Sequence, residues 1–179
     1  MFVDSHAHLE GERFDPDREQ VLARARENGI ETIVAIGSGT GPGSLDCGIE
    51  LARKHDFIYA TVGIHPHEAK LATDADFQEL EKLAKRPKVI AWGEIGLDYF
   101  YDHSPRDLQQ QVFLKQLQLA RTAKLPVVIH CRPSEAARTH GRIASRCCNS
   151  SGLQADWAES FTASQELRRM PSGRSRWDS

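Results

Sequence analysis

His6 and His8 stand one residue apart in the opening stretch Phe2-Val3-Asp4-Ser5-His6-Ala7-His8. The stretch reads as a short strand, and strand side chains alternate between faces, so Asp4, His6 and His8 point the same way. Two imidazoles on one face at a strand end can chelate one metal ion. The pattern alone is also that of an ordinary polar strand end. Its weight comes from the other polar residues that follow apolar runs: His65 and His67, Glu94 and Asp98, His130 and Arg132. Three imidazoles and one carboxylate, from His6, His8, His130 and Glu94, suit a divalent first-row metal. A glutamate can bridge two such ions, and a pair can activate water and stabilise charge on a phosphoryl oxygen.

Each of these residues has a plainer reading. Glu94 can cap or salt-bridge locally, His130 can be a satisfied core histidine, and His65-Pro66-His67 can be only a turn. His55 and His103 fall at helix ends or in loops and are expected at the surface. Arg132 shares the face of His130 and can hold a substrate phosphate; it can equally pair with Asp98.

Such residues need a scaffold that brings distant segments together, and the elements supply one. Asp15-Pro16 is a helix-start signal ahead of an apolar stripe at Val21, Leu22 and Ala25, and Asn28-Gly29 is a stop. Ile30 to Ile36 reads as a strand. The glycine-rich run Gly37 to Gly43 lacks the Gly-Lys-Ser/Thr of a nucleotide phosphate loop and is expected to be a flexible connection. Ser44 is expected to cap a helix towards His55, and Phe57 to Val62 is the third strand. A helix from about Ala75 to Lys85, the strand Lys88 to Trp92, a long helix begun by Ser104-Pro105-Arg106-Asp107 and the strand Pro126 to Ile129 follow. Strands alternating with helices imply right-handed βαβ units and a parallel sheet. That spacing extrapolates to a (β/α)8 TIM barrel of roughly 210 residues or more, in which functional groups gather at the carboxyl ends of the strands.

The 179 residues suffice for one domain, and a formal net charge of −2 gives no overall pull towards polyanions. A nucleic-acid substrate must therefore be held by metal ions or a local patch. Cys47, Cys131, Cys147 and Cys148 form no C-x-x-C or disulfide-like framework, which suits a reducing compartment. No leader-like or membrane-length apolar run is present in the sequence. The expected location is cytoplasmic, with no membrane association, and the sequence indicates no protein partner.

The strings DSHAH (Asp4 to His8), GIHPH (Gly63 to His67), GEIGLDY (Gly93 to Tyr99) and LPVVIHCR (Leu125 to Arg132) resemble those of the TatD-type deoxyribonucleases. These are metal-dependent hydrolases of the amidohydrolase superfamily. The resemblance implies a (β/α)8 barrel, a divalent metal centre and phosphodiester hydrolysis of DNA, often as an exonuclease. It implies that His6 and His8 bind one ion, that Glu94 bridges, and that His130 binds a second, the ions being magnesium, manganese or zinc. It places His65 in the active site as a catalytic residue near the substrate. The same chemistry serves deacylation of aminoacyl-tRNA or another ester.

The resemblance covers residues 1–133, read as the first five strands of such a barrel. From Pro133 the texture changes: residues 134–179 hold neither lysine nor valine, and no apolar strand run. The family's later histidine motif, Leu-His-Cys-Phe-Thr-Gly in type, and its late aspartate do not occur. Moving the frame by two bases over Trp157 to Ser179 lets permitted codons spell Gly-Gly-Ile-Leu-His-Cys-Phe-Thr-Gly. The expectation is therefore an irregular or disordered tail, read out of frame from near Ser134 to Thr139, which the coding DNA would settle. On that reading this chain is catalytically incomplete and at most binds metal.

Overall fold

Five strands lie in one sheet in the order of the sequence, and every neighbouring pair is parallel. This is a computed structural model; it describes residues 1–38 and 41–134, all within one compact unit, Met1–Thr139. The strands are β1 (Phe2–Ala7), β2 (Ile30–Ala35), β3 (Ile58–Val62), β4 (Val89–Asp98) and β5 (Val127–Arg132). The helices between them are α1 (Arg18–Glu27), α2 (Cys47–Lys54), α3 (Asp74–Leu83) and α4 (Arg106–Ala123). Successive parallel strands joined by helices form one half of a (β/α)8 barrel. The irregular tail expected over residues 134–179 lies outside the described residues from position 135 onward.

β2 from Ile33 onward and most of β3 are apolar because both faces of the sheet are covered there. Ile33, Ala35, Ile58 and Ala60 pack with Leu22 of α1 and with Leu51 and Ala52 of α2, closed off by Leu9 from the loop after β1. Each Leu or Ile so buried contributes about 1.5–3 kcal/mol of transfer free energy. Trp92 and Ile95 of β4 and Leu80 of α3 are likewise fully buried.

Two strands run further than the sequence suggests. β4 continues past Trp92 to Asp98, and β5 past Ile129 to Arg132. Glycines that read as punctuation are the cause. A Cβ on Gly93 would stand 2.6 Å from the Val128 side chain, and one on Gly96 would stand 2.0 Å from the His130 carbonyl oxygen. They allow β5 to close on β4, with Gly96 opposite His130 and Asp98 opposite Arg132.

Three helix starts also differ. α1 begins at Arg18, and Asp15, expected to cap it, pairs instead with the Arg18 guanidinium at 2.7 Å. α2 begins at Cys47, after a short 3-10 turn Pro42–Ser44. The Ser44 hydroxyl donates to the Gly41 carbonyl rather than capping the helix. Ser104 caps nothing in α4. Its hydroxyl donates to the His67 carbonyl at 2.7 Å and accepts from the Lys70 N–H at 3.0 Å. α3 carries a capping box that the sequence reading passed over, Thr73 with Asp76. Gly39 and Thr40, in the glycine-rich run, lie outside the described residues.

Candidate metal centre

Glu94 sits half-way along β4, 8% exposed, with a different neighbour group on each carboxylate oxygen. Oε2 faces His6 Nε2 at 3.5 Å and His8 Nε2 at 3.8 Å. Oε1 lies 3.1 Å from His130 Nδ1. His65 Nε2 is 4.0 Å from Oε2 and 3.2 Å from His130 Nδ1. Two groups of donor atoms result, each within 4.8 Å of one another: His6, His8 and Glu94, and His65, His67 and His130. The sequence-derived residues His6, His8, His65, Glu94 and His130 thus meet at one rim. Arg132 reaches the same cleft, which has a volume of about 470 Å³.

The backbone explains the convergence. Glu94, Gly96 and Asp98 alternate along β4, so both carboxylates face the cleft. Thr61, fully buried on β3, donates its hydroxyl to the Gly93 carbonyl at 2.5 Å and accepts the Gly37 N–H at 3.1 Å. The residue before Glu94 is thereby fixed to the β2 and β3 ends. Arg18 donates to the carbonyls of Leu9 at 2.7 Å and Gly11 at 3.0 Å and so secures the loop that carries His8. From α4, the buried Gln116 holds the backbone before His65: its Oε1 accepts the Ile64 N–H at 2.8 Å and its Nε2 donates to the Ile64 carbonyl at 3.0 Å.

The donor chemistry fits a divalent cation. Imidazole nitrogens approach each other at 3.2 Å between His6 and His8, and again between His65 and His130. Between His6 and His8 that proximity lets both lone pairs meet on one cation. Glu10 Oε1 lies 3.4 Å from His8 Nδ1, which sets the proton on Nδ1 and leaves Nε2 bare for ligation. The hydrogen bond to Glu10 also raises the His8 pKa against the opposing effect of burial. The His67 backbone N–H donates to His65 Nδ1 at 3.2 Å, so His65 offers Nε2 to the cleft.

The charges are set in complementary fashion. Burial, with the neighbouring His130 and His67, pushes His65 down to about 4 and keeps it neutral. Burial works against ionisation of Glu94, but the His130 hydrogen bond and the nearby histidines outweigh it and hold the carboxyl below its ordinary range. The hydrogen bond to Glu94, joined by that to Asp98, raises His130.

Asp98 is the group that the sequence reading undervalued. It is fully buried, and its two oxygens divide their work. Oδ2 accepts from His67 Nε2 at 2.9 Å and lies 3.0 Å from His130 Nε2. Oδ1 accepts the N–H groups of Phe100 at 3.0 Å and Tyr101 at 2.9 Å. Burial disfavours the charge, but the Tyr101 N–H, His67 and His130 hold the carboxyl far below its usual range. With Asp98 so occupied, the Arg132 guanidinium lies over the rings of Phe100 and Tyr101, at 4.1 and 4.5 Å from their centroids. His67 is likewise part of the cluster rather than of a turn alone; its His-x-His spacing with His65, the same as that of His6 and His8, was the available signal. His55, expected at the surface, is largely buried against Glu19 at 3.3 Å, whereas His103 is exposed but lies beside His67.

The model of TatD-related DNases matches residues 3–151. The chain belongs to the TatD-related DNase family. Among curated relatives it is 41% identical over 132 residues to YabD, an uncharacterised metal-dependent hydrolase of Bacillus subtilis (strain 168), covering 74% of this chain and 51% of YabD. It is 35% identical over 133 residues to the 3'-5' ssDNA/RNA exonuclease TatD of Cronobacter turicensis, covering 74% of this chain and 50% of that protein. The crystal structure of the TatD homologue YjjV from Escherichia coli K12 superposes with a TM-score of 0.69 at 33% identity, over 81% of this chain and 54% of YjjV. The chain spans about half the length of the curated TatD relatives it matches. No helix among the described residues is long and apolar enough to cross a membrane.

Proposed function

We propose that this TatD-family chain is a metal-dependent hydrolase of phosphodiester bonds in DNA. The observation that carries the reading is the two-sided placement of Glu94, with His6 and His8 on one oxygen and His130 on the other. His6, His8 and Glu94 would hold one divalent cation, and Glu94 with His130 would hold a second. Bound there, the cations supply Lewis acidity towards a phosphoryl oxygen and an activated water. His65 is the catalytic side chain: with its Nδ1 taken by the His67 N–H, it carries its proton on Nε2 and donates it in a hydrogen bond to the reacting phosphoryl group. Arg132, two residues beyond His130 on β5, neutralises a substrate phosphate in the same cleft. Support comes from the relatives' names, which describe a metal-dependent hydrolase and a 3'-5' ssDNA/RNA exonuclease.

The test is hydrolysis of single-stranded DNA by the purified chain with magnesium or manganese. Steady turnover that disappears on chelation and falls by about a thousandfold in His6→Ala is expected. Turnover that is indifferent to chelator or to His6→Ala overturns the reading. Cation binding without any turnover reduces this chain's role to binding metal.

A further inference from the structure

Beside the histidine cluster, Tyr101 and Arg132 line the cleft, and the rings of Phe100 and His103 pack against them. The Arg132 guanidinium lies on Phe100 and Tyr101. Tyr101 stacks on His103 with ring planes 11° apart and centroids 5.4 Å apart, and both residues are exposed, Tyr101 to 50%. Tyr101 meets His67 edge to face at 5.6 Å, so the shelf begins one ring away from the candidate metal ligands. Its backbone is not free to drift. Asp98 Oδ1 receives the Phe100 and Tyr101 N–H groups, while Oδ2 of the same carboxylate takes His67 and lies beside His130. Arg106, anchored to Asp102 through two contacts of 2.8 Å, donates to the Tyr99 carbonyl and steadies the far end of the turn.

We propose that the Tyr101–His103 shelf is a base-stacking subsite that takes an unpaired nucleobase of the polynucleotide whose phosphate lies at the histidine cluster. Every base has a π face, so such a platform binds without reading sequence. It also requires the base to be unstacked, which favours a single strand over a duplex. Arg132, lying over the same rings, adds cation–π attraction and a positive charge beside the backbone path. The plain alternative is that an arginine packs on two aromatic rings for stability alone. That alternative leaves the exposed Tyr101–His103 stack without a role and predicts no dependence of binding on the base. The inference rests on the phosphodiesterase reading of the cleft.

The experiment measures binding of labelled oligo(dT), oligo(rU) and an abasic strand of equal length to the intact chain in chelator, where no hydrolysis occurs. The parent should bind both base-bearing strands about tenfold more tightly than the abasic one. Tyr101→Ala should erase that difference for oligo(dT) and oligo(rU) alike, and Tyr101→Phe should keep it. A parent that treats the abasic strand as an equal, or that binds none of the strands, overturns the inference, as does a Tyr101→Ala variant with its base preference intact. Weakening of all three strands to the same extent by Tyr101→Ala signals a structural role and overturns it too. The two proposals fail separately. A base preference without cation-dependent hydrolysis sinks only the hydrolase reading, and hydrolysis without a base preference sinks only the subsite.

Discussion

Gly96 decides how close β5 comes to the candidate centre. Its φ of +147° is one that side-chain-bearing residues rarely adopt, and a Cβ there would overlap the His130 carbonyl. Gly96→Ala must strain β4 or push β5 outward, and the displaced residue is His130 itself. The expected cost is about 3 kcal/mol or more in denaturant unfolding, together with weakened cation binding. An alanine variant with the parent's midpoint would show that the strands separate at little cost. At this scale the sequence was informative wherever a ligand type stood at the end of an apolar run: His6, His8, Glu94 and His130 meet as expected. It was less informative for Asp98 and Glu10. Their importance comes from which imidazole nitrogen they face, and that depends on contacts across the chain rather than on neighbouring residues.

α4 shows how an element positions the site from behind. Its sequence displays an apolar stripe through Phe113, Leu117 and Ala120, and these are buried. The same face also buries Gln109 and Gln116, which no hydrophobic pattern would choose. Gln109 accepts the Asp98 N–H at 2.8 Å and donates to the carbonyls of Asp98 at 2.9 Å and Ser104 at 2.8 Å. It does for the end of β4 what a further strand residue would do, just where the chain turns into Phe100 and Tyr101. Gln109→Leu keeps the volume but leaves three buried backbone groups without partners. A loss of about 3 kcal/mol follows, whereas Gln110→Leu on the exposed side should stay within about 0.5 kcal/mol of the parent. Equal effects from the two would mean that the clamp contributes nothing. Element identities and order were legible because the buried stretches of the inner strands, such as Ile33 to Ile36 and Ile58 to Val62, are mostly apolar. Ends were not, because Gly93 and Gly96 signal a break in sequence yet serve close strand approach in space.

For the molecule as a whole, the candidate ligands come from β1, the β3 exit, β4 and β5, so one cluster draws on most of the sheet. Among the described residues nothing pairs with the outer edges of β1 and β5, and Phe2 and Val3 of β1 are exposed. A cation held by His6, His8 and Glu94 would therefore tie the edge strand β1 to β4, which lies three places away in the sheet. Ligand that binds only the folded state stabilises it by about 2.7 kcal/mol at a hundred times its dissociation constant. For a unit of this size that corresponds to a rise in thermal midpoint on the order of 10 °C. The rise should appear on titration with manganese or zinc, reverse with chelator, and largely vanish in Glu94→Gln, which removes the charge that faces His6 and His8 on one side and His130 on the other. His55→Ala, away from the cleft, should keep it. A midpoint that ignores the cation, or a rise that survives Glu94→Gln undiminished, would mean that the histidines gathered here are held by protein contacts alone.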